Sequence, residues 1–183
     1  MTASADGARA IIDFWFREVG PNGWWTHSTE TDAAIRDRFL LLWEEWRSRP
    51  ADHFLGTAGK ALAAVVLFDQ FSRNMFRGEG RAFATDPLAL AIAQDAIDRG
   101  FDARLSPDER MFLYMPFQHS EYLAMQDRAV ALFEALGRAE QIDYAHKHRD
   151  MIAHYGRFPA RNAALGRPDR SGETKAIAAS ASW

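Results

Sequence analysis

The chain has 183 residues and a formal charge of −3, with 48% hydrophobic residues and no cysteine. These values fit one soluble domain with a hydrophobic core, and the acidic balance argues against general nucleic-acid binding, which usually needs a basic domain. The lack of cysteine excludes disulfides, thiolate metal ligands and cysteine nucleophiles, and it is compatible with a reducing cytosol.

The start of the chain has neither the basic region nor the apolar core of a signal peptide. The longest apolar run covers residues 61–68 and is far too short to span a membrane. We therefore expect a cytoplasmic protein with no membrane or nucleic-acid partner.

The hydrophobic pattern predicts helices along almost the whole chain. They are expected at about residues 8–18, 29–49, 57–76, 87–99, from 107 through a kink or break at Pro116, 126–136 and 139–155. The expected N-caps are Thr29, Asp86 and Ser106, the last of which can form a capping box with Glu109.

No segment shows convincing β-alternation, so the predicted fold class is all-α. We expect about seven helices, arranged in antiparallel pairs like those of tetratricopeptide proteins. Residues 1–165 should form a single domain. The small, polar residues 166–183 should form a loosely held C-terminal tail with room for one short helix.

The third predicted helix ends in a cluster of polar residues, within "LFDQFSRNMFRG" (67–78). A turn of about 100° per residue places Arg73 close to Asp69, on a continuation of the apolar stripe. Gln70, Asn74 and Arg77 belong to the same cluster. It could be one wall of a site, or only an Asp69–Arg73 pair that closes the helix.

Two histidines lie on the apolar faces of their predicted helices. His119 is followed two residues later by Glu121, next to the irregularity expected at Pro116. His148 faces inward on the last long helix. Such residues can form an acid/base site, although a lone inward histidine is more often a hydrogen-bonded core residue.

A third polar cluster follows the last long helix, in "YGRFPARN" (155–162). Arg157, Arg161 and Asn162 project from this loop and are candidate ligand-binding residues, although surface arginines are often only solvated. Together with Arg73 and Arg77 they would give an acidic protein a positive patch, and guanidinium groups suit carboxylate or phosphate.

Several of these stretches, taken in order, resemble a large bacterial family known only as domain of unknown function 924. The matching pieces are "FWF" (14–16), "DQFSRNMFR" (69–77), "PFQHSE" (116–121), "HRD" (148–150) and "GRFPARN" (156–162). The resemblance implies an all-helical, tetratricopeptide-like fold and supplies no agreed activity. Ser72 stands where the family commonly has proline, which should relax the turn, and Tyr122 stands where it often has aspartate.

Three functions fit these patterns. In the first, a pocket binds a small anionic molecule and acts on it by hydrolase-like general acid/base chemistry, with His119 or His148 as the acid/base and Asp69 or Glu121 orienting it. In the second, a tetratricopeptide-like scaffold binds an acidic peptide or protein, and its histidines lie far apart. The third is a metal site made of the two histidines and Glu121, which no compact ligand motif supports. No cofactor is expected.

The pocket hypothesis makes two geometric predictions. Asp69 and Arg73 should both be buried and hydrogen-bonded, and His119, His148, Asp69 and the arginines of residues 156–162 should converge on one cavity. The N-terminal aromatic residues are expected to pack in the core, as aromatics at helical spacing usually do. These are Phe14, Trp15, Phe16, Trp24 and Trp25.

Overall fold

A computed structural model describes residues 3–179, and within this range every regular element is helical. The α-helices are α1 (Ala3–Asp13), α2 (Gly20–Gly23), α3 (Thr29–Trp46), α4 (Ala58–Val65), α5 (Ser72–Met75), α6 (Asp86–Asp98), α7 (Pro107–Gln118), α8 (Leu123–Leu136), α9 (Ala139–Tyr155) and α10 (Thr174–Ala179). The all-α prediction is confirmed, whereas the tetratricopeptide-like arrangement stays a prediction.

The described residues form three more α-helices than the predicted seven: α2 and α5 each follow a π-helical segment, and α10 lies where the sequence left room for one short helix. The first π segment (Phe14–Val19) joins α1 to α2, and the second (Val66–Phe71) joins α4 to α5. A π segment changes the direction of every side chain beyond it and often occurs at functional sites. The regular turn that was assumed from Asp69 to Arg77 therefore does not hold.

Local capping signals predict most helix boundaries to within one residue of their position in the structure. Ser106 and Glu109 form the expected capping box at the start of α7. Two caps lie one residue earlier than predicted, at Ser28 for α3 and Thr85 for α6. The chain remains helical through Pro116 as far as Gln118, so no break occurs there.

The centre of the core is formed by α4 and the second π segment. Residues 61–69 are buried without interruption, and α4 packs against α1, α6 and α7. Phe71 continues this core, since its ring lies 5.8 Å from that of Phe14 and 5.5 Å from that of Trp15. Aromatic edge-to-face contacts at these distances add to the gain from burial. The second π segment is therefore held from several sides.

The N-terminal aromatic residues follow the prediction with one exception. Phe14 and Trp15 are buried, and Phe16 and Trp24 are partly buried against the core. Trp25 is 60% exposed, so the expectation that it belongs to the core is wrong. Its ring lies almost parallel to that of buried Phe112 at a centroid distance of 6.0 Å, which leaves the outer face of Trp25 accessible.

The segment after residue 165 is more firmly attached than a loosely held tail. Glu173 is buried and accepts hydrogen bonds from Arg157 Nε at 2.8 Å and Nη2 at 2.7 Å. Arg167 binds both carboxylate oxygens of Glu121, at 2.7 and 3.0 Å. These arginine and glutamate side chains, which lie far apart in sequence, join residues 166–179 to the domain, and the predicted division at residue 165 stays a prediction. Residues 180–183 lie outside the described range.

No helix in the described part of the chain is long and apolar enough to cross a membrane.

Ser72 is a buried junction between α3, α5 and the turn before α6. Its hydroxyl oxygen accepts a hydrogen bond from Trp43 Nε1 at 2.8 Å and lies 3.0 Å from Thr85 Oγ1. Thr85 donates onward to the carbonyl of Phe68, within the second π segment, at 2.7 Å. The Ser72 hydroxyl thus connects α5 to α3 and to the turn before α6.

We predict that Ser72→Ala destabilises the protein by about 1–3 kcal/mol, because the buried indole N–H of Trp43 loses its acceptor. Urea unfolding measures the loss. Ser48→Ala is the control, since the Ser48 hydroxyl bonds to a carbonyl on the exposed surface. A Ser72→Ala variant as stable as the Ser48→Ala variant would contradict this role.

Candidate functional site

The centre of the site is a hydrogen bond between Asp69 and His119. Nδ1 of His119 lies 2.8 Å from Oδ1 and 3.0 Å from Oδ2 of Asp69, whose side chain is 0% exposed. A carboxylate can only accept, so Nδ1 carries the proton and donates it. The opposite ring nitrogen, Nε2, is then the atom that can meet a ligand.

The second π segment makes this geometry possible. A π turn shifts backbone carbonyls out of the usual helical bonding pattern, and those carbonyls need other donors. Arg73 Nη1 donates to the carbonyl of Asp69 at 2.5 Å, and Thr85 donates to that of Phe68. Gln70 Nε2 donates to Asp69 Oδ2 at 2.5 Å. Gln70 and Arg73, which are close to Asp69 in sequence, thus hold its carboxylate together with His119.

Charge and burial act in opposite directions on this pair. Burial raises the pKa of Asp69, but the charge of Arg73 and the hydrogen bonds from His119 and Gln70 outweigh it, so the pKa lies below its ordinary value. Burial lowers the pKa of His119; Asp69 opposes this, and Arg73 and Arg161 act in the same direction as burial. The pair is therefore an ionised aspartate with a neutral imidazole at neutral pH.

Two arginines and a second aspartate surround the pair. Arg73 Nη1 lies 3.3 Å from Asp69 Oδ1, and the guanidinium binds both oxygens of Asp86 at 3.0 Å. Arg161 reaches the same aspartate at 3.3 Å and donates to the carbonyl of His119 at 2.9 Å. His119 is consequently held at its ring by Asp69 and at its backbone by Arg161.

His148 stands beside His119, with 6.2 Å between the ring centroids. Its Nδ1 donates to the carbonyl of Tyr144, one turn earlier in α9, at 2.7 Å. Burial, followed by the effect of His119, lowers the pKa of His148 to about 3. The ring is thus neutral at physiological pH, with its lone pair on Nε2.

These side chains open into one cavity of about 1110 Å³. Its polar lining residues include Gln70, Arg73, Asn74, Arg77, Gln118, His119, His148 and Arg161, together with His27, Glu140 and Gln141. Its apolar and aromatic lining residues include Trp15, Trp24, Trp25, Phe83, Met115, Tyr144, Met151, Phe158 and Ile177. The volume is comparable to the upper range for small-molecule sites, which is about 300–1,000 Å³.

The predicted convergence holds for part of the proposed set. His119, His148 and Arg161 share the cavity, and Asp69 lies directly behind His119. Asp69 is fully buried as predicted, Arg73 is partly buried with 22% of its side chain exposed, and both are hydrogen-bonded. Gln70, Asn74 and Arg77 also line the cavity, the last two while binding Asp32. Whether any of these residues acts in catalysis stays a prediction.

Besides Asp69, which lies behind His119, three predicted site residues do not line the cavity. Arg157 is engaged by Glu173, and Asn162 Nδ2 donates to the same glutamate at 3.0 Å. Glu121 binds Arg167 and accepts the backbone N–H of Phe158 at 2.8 Å. These side chains attach the C-terminal segment to the domain, and their predicted catalytic and ligand-binding roles stay predictions. Within residues 3–179, no group of three or more potential ligands is arranged to hold a metal ion.

Several residues of the site were not identified from the sequence. Asp86 was predicted only as a helix cap, yet its carboxylate joins Arg73 to Arg161. Gln118 stands directly before His119 in "PFQHSE" (116–121), but it was not predicted to belong to the site. Trp25 and Tyr144 carried no signal beyond their hydrophobic character.

We predict that Arg73→Ala costs about 3–5 kcal/mol of unfolding free energy, because it leaves the buried charge of Asp69 without its closest cation. Arg77→Ala is the matched control, since its pair with Asp32 is exposed and should contribute about 0–1 kcal/mol. Chemical denaturation compares the two. Equal losses would show that Asp69 does not depend on Arg73.

We predict that stability falls as the pH drops from about 6.5 towards 3. The unfolded chain binds a proton at position 148 near pH 6.5, whereas the folded pKa is about 3. Folding is therefore favoured above this window and weakens within it, by up to about 1.4 kcal/mol per pH unit for one proton.

Urea unfolding between pH 5 and pH 7 tests this pH dependence, and His148→Phe should reduce the slope. His154→Phe, at an exposed position on α9, should keep the wild-type slope. An unchanged slope in the His148→Phe variant would contradict the burial of a neutral imidazole.

Comparisons with known proteins agree with this fold and supply no activity. A family model described as "Bacterial protein of unknown function (DUF924)" matches residues 11–180. The structure is similar to that of a protein of unknown function, ATU0120 from Agrobacterium tumefaciens, with 40% identity, 94% of this chain and 97% of that chain covered, and a TM-score of 0.88. No curated protein matches. The chain belongs to the DUF924 family of bacterial proteins of unknown function.

Proposed function

We propose that this protein is an enzyme that binds a small anionic molecule in the cavity and uses His119 as a general base. The observation that carries the proposal is the 2.8 Å bond from His119 Nδ1 to a fully buried Asp69, with the ring in the cavity wall. An aspartate behind a histidine fixes both the tautomer and the ring orientation, as a general base requires.

The pair is suited to removing a proton from water or from the bound molecule. The imidazole is neutral, so Nε2 can accept a proton, and the imidazolium that forms is stabilised by the carboxylate at 2.8 Å. Because the pKa of His119 is already lowered by burial, the proton can be passed on again. Attack by an activated water would make the reaction a hydrolysis.

The preference for an anion follows from the electrostatics around the histidines. Arg73 and Arg161 each add to the lowering of the pKa of His119 and of His148, and Asp69 opposes it at His119. The pKa of Arg161 is itself lowered to about 10, by burial and by Arg73. Arg161 has one contact with Asp86, at 3.3 Å, whereas Arg73 has two contacts with the same aspartate, at 3.0 Å. The charge of Arg161 is therefore less fully compensated.

The predicted arginines are less available to a ligand than the sequence alone suggested. Arg73, Arg77 and Arg157 each form close ion pairs with aspartate or glutamate, so they do not add up to a free positive patch. Arg161 remains the best-placed cation for a carboxylate or phosphate group. His148, 6.2 Å from His119, can contact the same molecule.

The alternative function, a scaffold for an acidic peptide or protein, was expected to show histidines far apart. The 6.2 Å separation of the two rings favours the enzyme over the scaffold.

We predict that inorganic phosphate or a small carboxylate raises the melting temperature, by about 5–10 °C at one hundred times its dissociation constant. Differential scanning fluorimetry with phosphate, acetate and succinate makes the test. Arg161→Gln should remove the shift. Arg128→Gln is the control, because Arg128 pairs with Asp98 outside the cavity. A wild-type protein that none of these anions stabilises would overturn the anion preference.

For a substrate found among carboxylic or phosphate esters, we predict that His119→Ala lowers kcat by about 10²–10⁴-fold, which is the usual contribution of general acid–base catalysis. Steady-state kinetics measures the loss, and circular dichroism checks that the variant is folded. His154→Ala should keep the wild-type rate, since it lies on the exposed face of α9. A fully active, folded His119→Ala enzyme would contradict the assignment.

A further inference from the structure

Helix α7 forms one side of the cavity, and the two ends of that side differ in chemistry. His119 follows its last residue, next to Asp69 and Arg161. Phe112 lies seven residues earlier, which corresponds to about 10 Å along the helix axis. Around Phe112 are Trp24, at a ring distance of 4.9 Å, and Trp25, at 6.0 Å. The His119 end is therefore polar, with Arg161 as a nearby cation, and the Phe112 end is aromatic.

The cavity lining includes aromatic surface that the fold itself does not use. Trp25 is 60% exposed and Tyr144 is 46% exposed, and both line the cavity. A single exposed aromatic residue needs no explanation, but two that face one cavity form a surface on which an aromatic group can pack. Trp24 is held in place by its indole N–H, which donates to the carbonyl of Trp15 at 2.8 Å. The surface is thus preorganised.

Two polar atoms in the same walls lack partners within the described chain. Trp15 Nε1 and Gln118 Oε1 are buried, and neither makes a hydrogen bond to residues 3–179. Both side chains are at least nine-tenths buried and belong to the cavity lining. A buried polar group without a partner is costly. Because both residues line the cavity, a ligand along this side would lie next to them.

We propose that the ligand has two parts: an anionic group at the His119–Arg161 end and an aromatic body that reaches Trp24 and Trp25, about 10 Å away by the helix rise. The inference rests on the proposed function, since it takes the anionic group from there. It adds the substrate class, a small aromatic acid or aryl phosphate. The cavity of about 1110 Å³ is far larger than a bare phosphate or acetate needs.

Three phosphonates of increasing apolar size test the proposal: methylphosphonate, hexylphosphonate and naphthylmethylphosphonate. Their carbon–phosphorus bonds resist hydrolysis, so calorimetry measures binding alone. Acetate, hexanoate and naphthylacetate are the matching carboxylates. In at least one series, the naphthyl compound should bind about tenfold or more tightly than the methyl and hexyl compounds. The hexyl compounds separate aromatic recognition from general apolar burial.

Trp25→Ala should weaken the naphthyl compound about tenfold while the smallest anion of the series keeps its affinity. Because Trp25 is exposed, its replacement should leave the fold intact, so a loss of affinity would not come from misfolding. Leu41→Ala, at an 85% exposed residue of α3 outside the cavity, is the matched control and should change neither affinity.

The outcomes separate the two proposals. If the small anions bind and the naphthyl compounds bind no better, the aromatic subsite is wrong and the anion site stands. If hexyl and naphthyl compounds bind equally, or Trp25→Ala has no effect, the aromatic body is likewise wrong. If no compound of either series binds, the anion site itself fails.

Discussion

The buried carboxylate of Asp69 is the constraint on which the rest of the site depends. A charge with 0% exposure would be strongly destabilising unless other groups compensate it. Compensation comes from Arg73 and Gln70 in the same stretch of chain and from His119 at the end of α7. Compensation of the Asp69 charge therefore determines the positions of three other side chains.

The arginines near Asp69 are charged themselves, so each of them also needs a partner of opposite charge. Arg73 binds Asp86 at the start of α6, and Asp86 also contacts Arg161 in the loop after α9. Arg161 then returns to the backbone of His119. The second π segment, α6, α7 and this loop are thus joined in a closed polar network. Two carboxylates face two guanidinium groups, and both imidazoles stay neutral beside them.

Similar residue types perform a different task a short distance away. Arg157 with Glu173, and Arg167 with Glu121, attach the C-terminal segment to the domain. That attachment also matters for the cavity, because Ile177 of α10 lies in its wall. Arginine–carboxylate pairs therefore serve both the site and the closure of the fold, and only the identity of the partner distinguishes the two uses.

The sequence by itself determined the features that depend on neighbours within one or two turns. The helical class, the capping box at Ser106 and the inward faces of His119 and His148 all follow from periodicity and local hydrogen bonding. The Asp69–Arg73 contact was also predictable, because four residues separate the two along a helix. For these features, chain geometry fixes the partner.

Only the tertiary structure decided which polar residues meet across long separations. The carbonyls of the second π segment bind donors from distant parts of the chain. Thr85, for example, is 17 residues away from Phe68, whose carbonyl it binds. Arg157 and Arg161 are four residues apart and equally basic, yet Glu173 takes the first and Asp86 the second. A guanidinium group accepts any nearby carboxylate, so its own sequence context cannot select the partner. That selection requires the packed arrangement of all the helices.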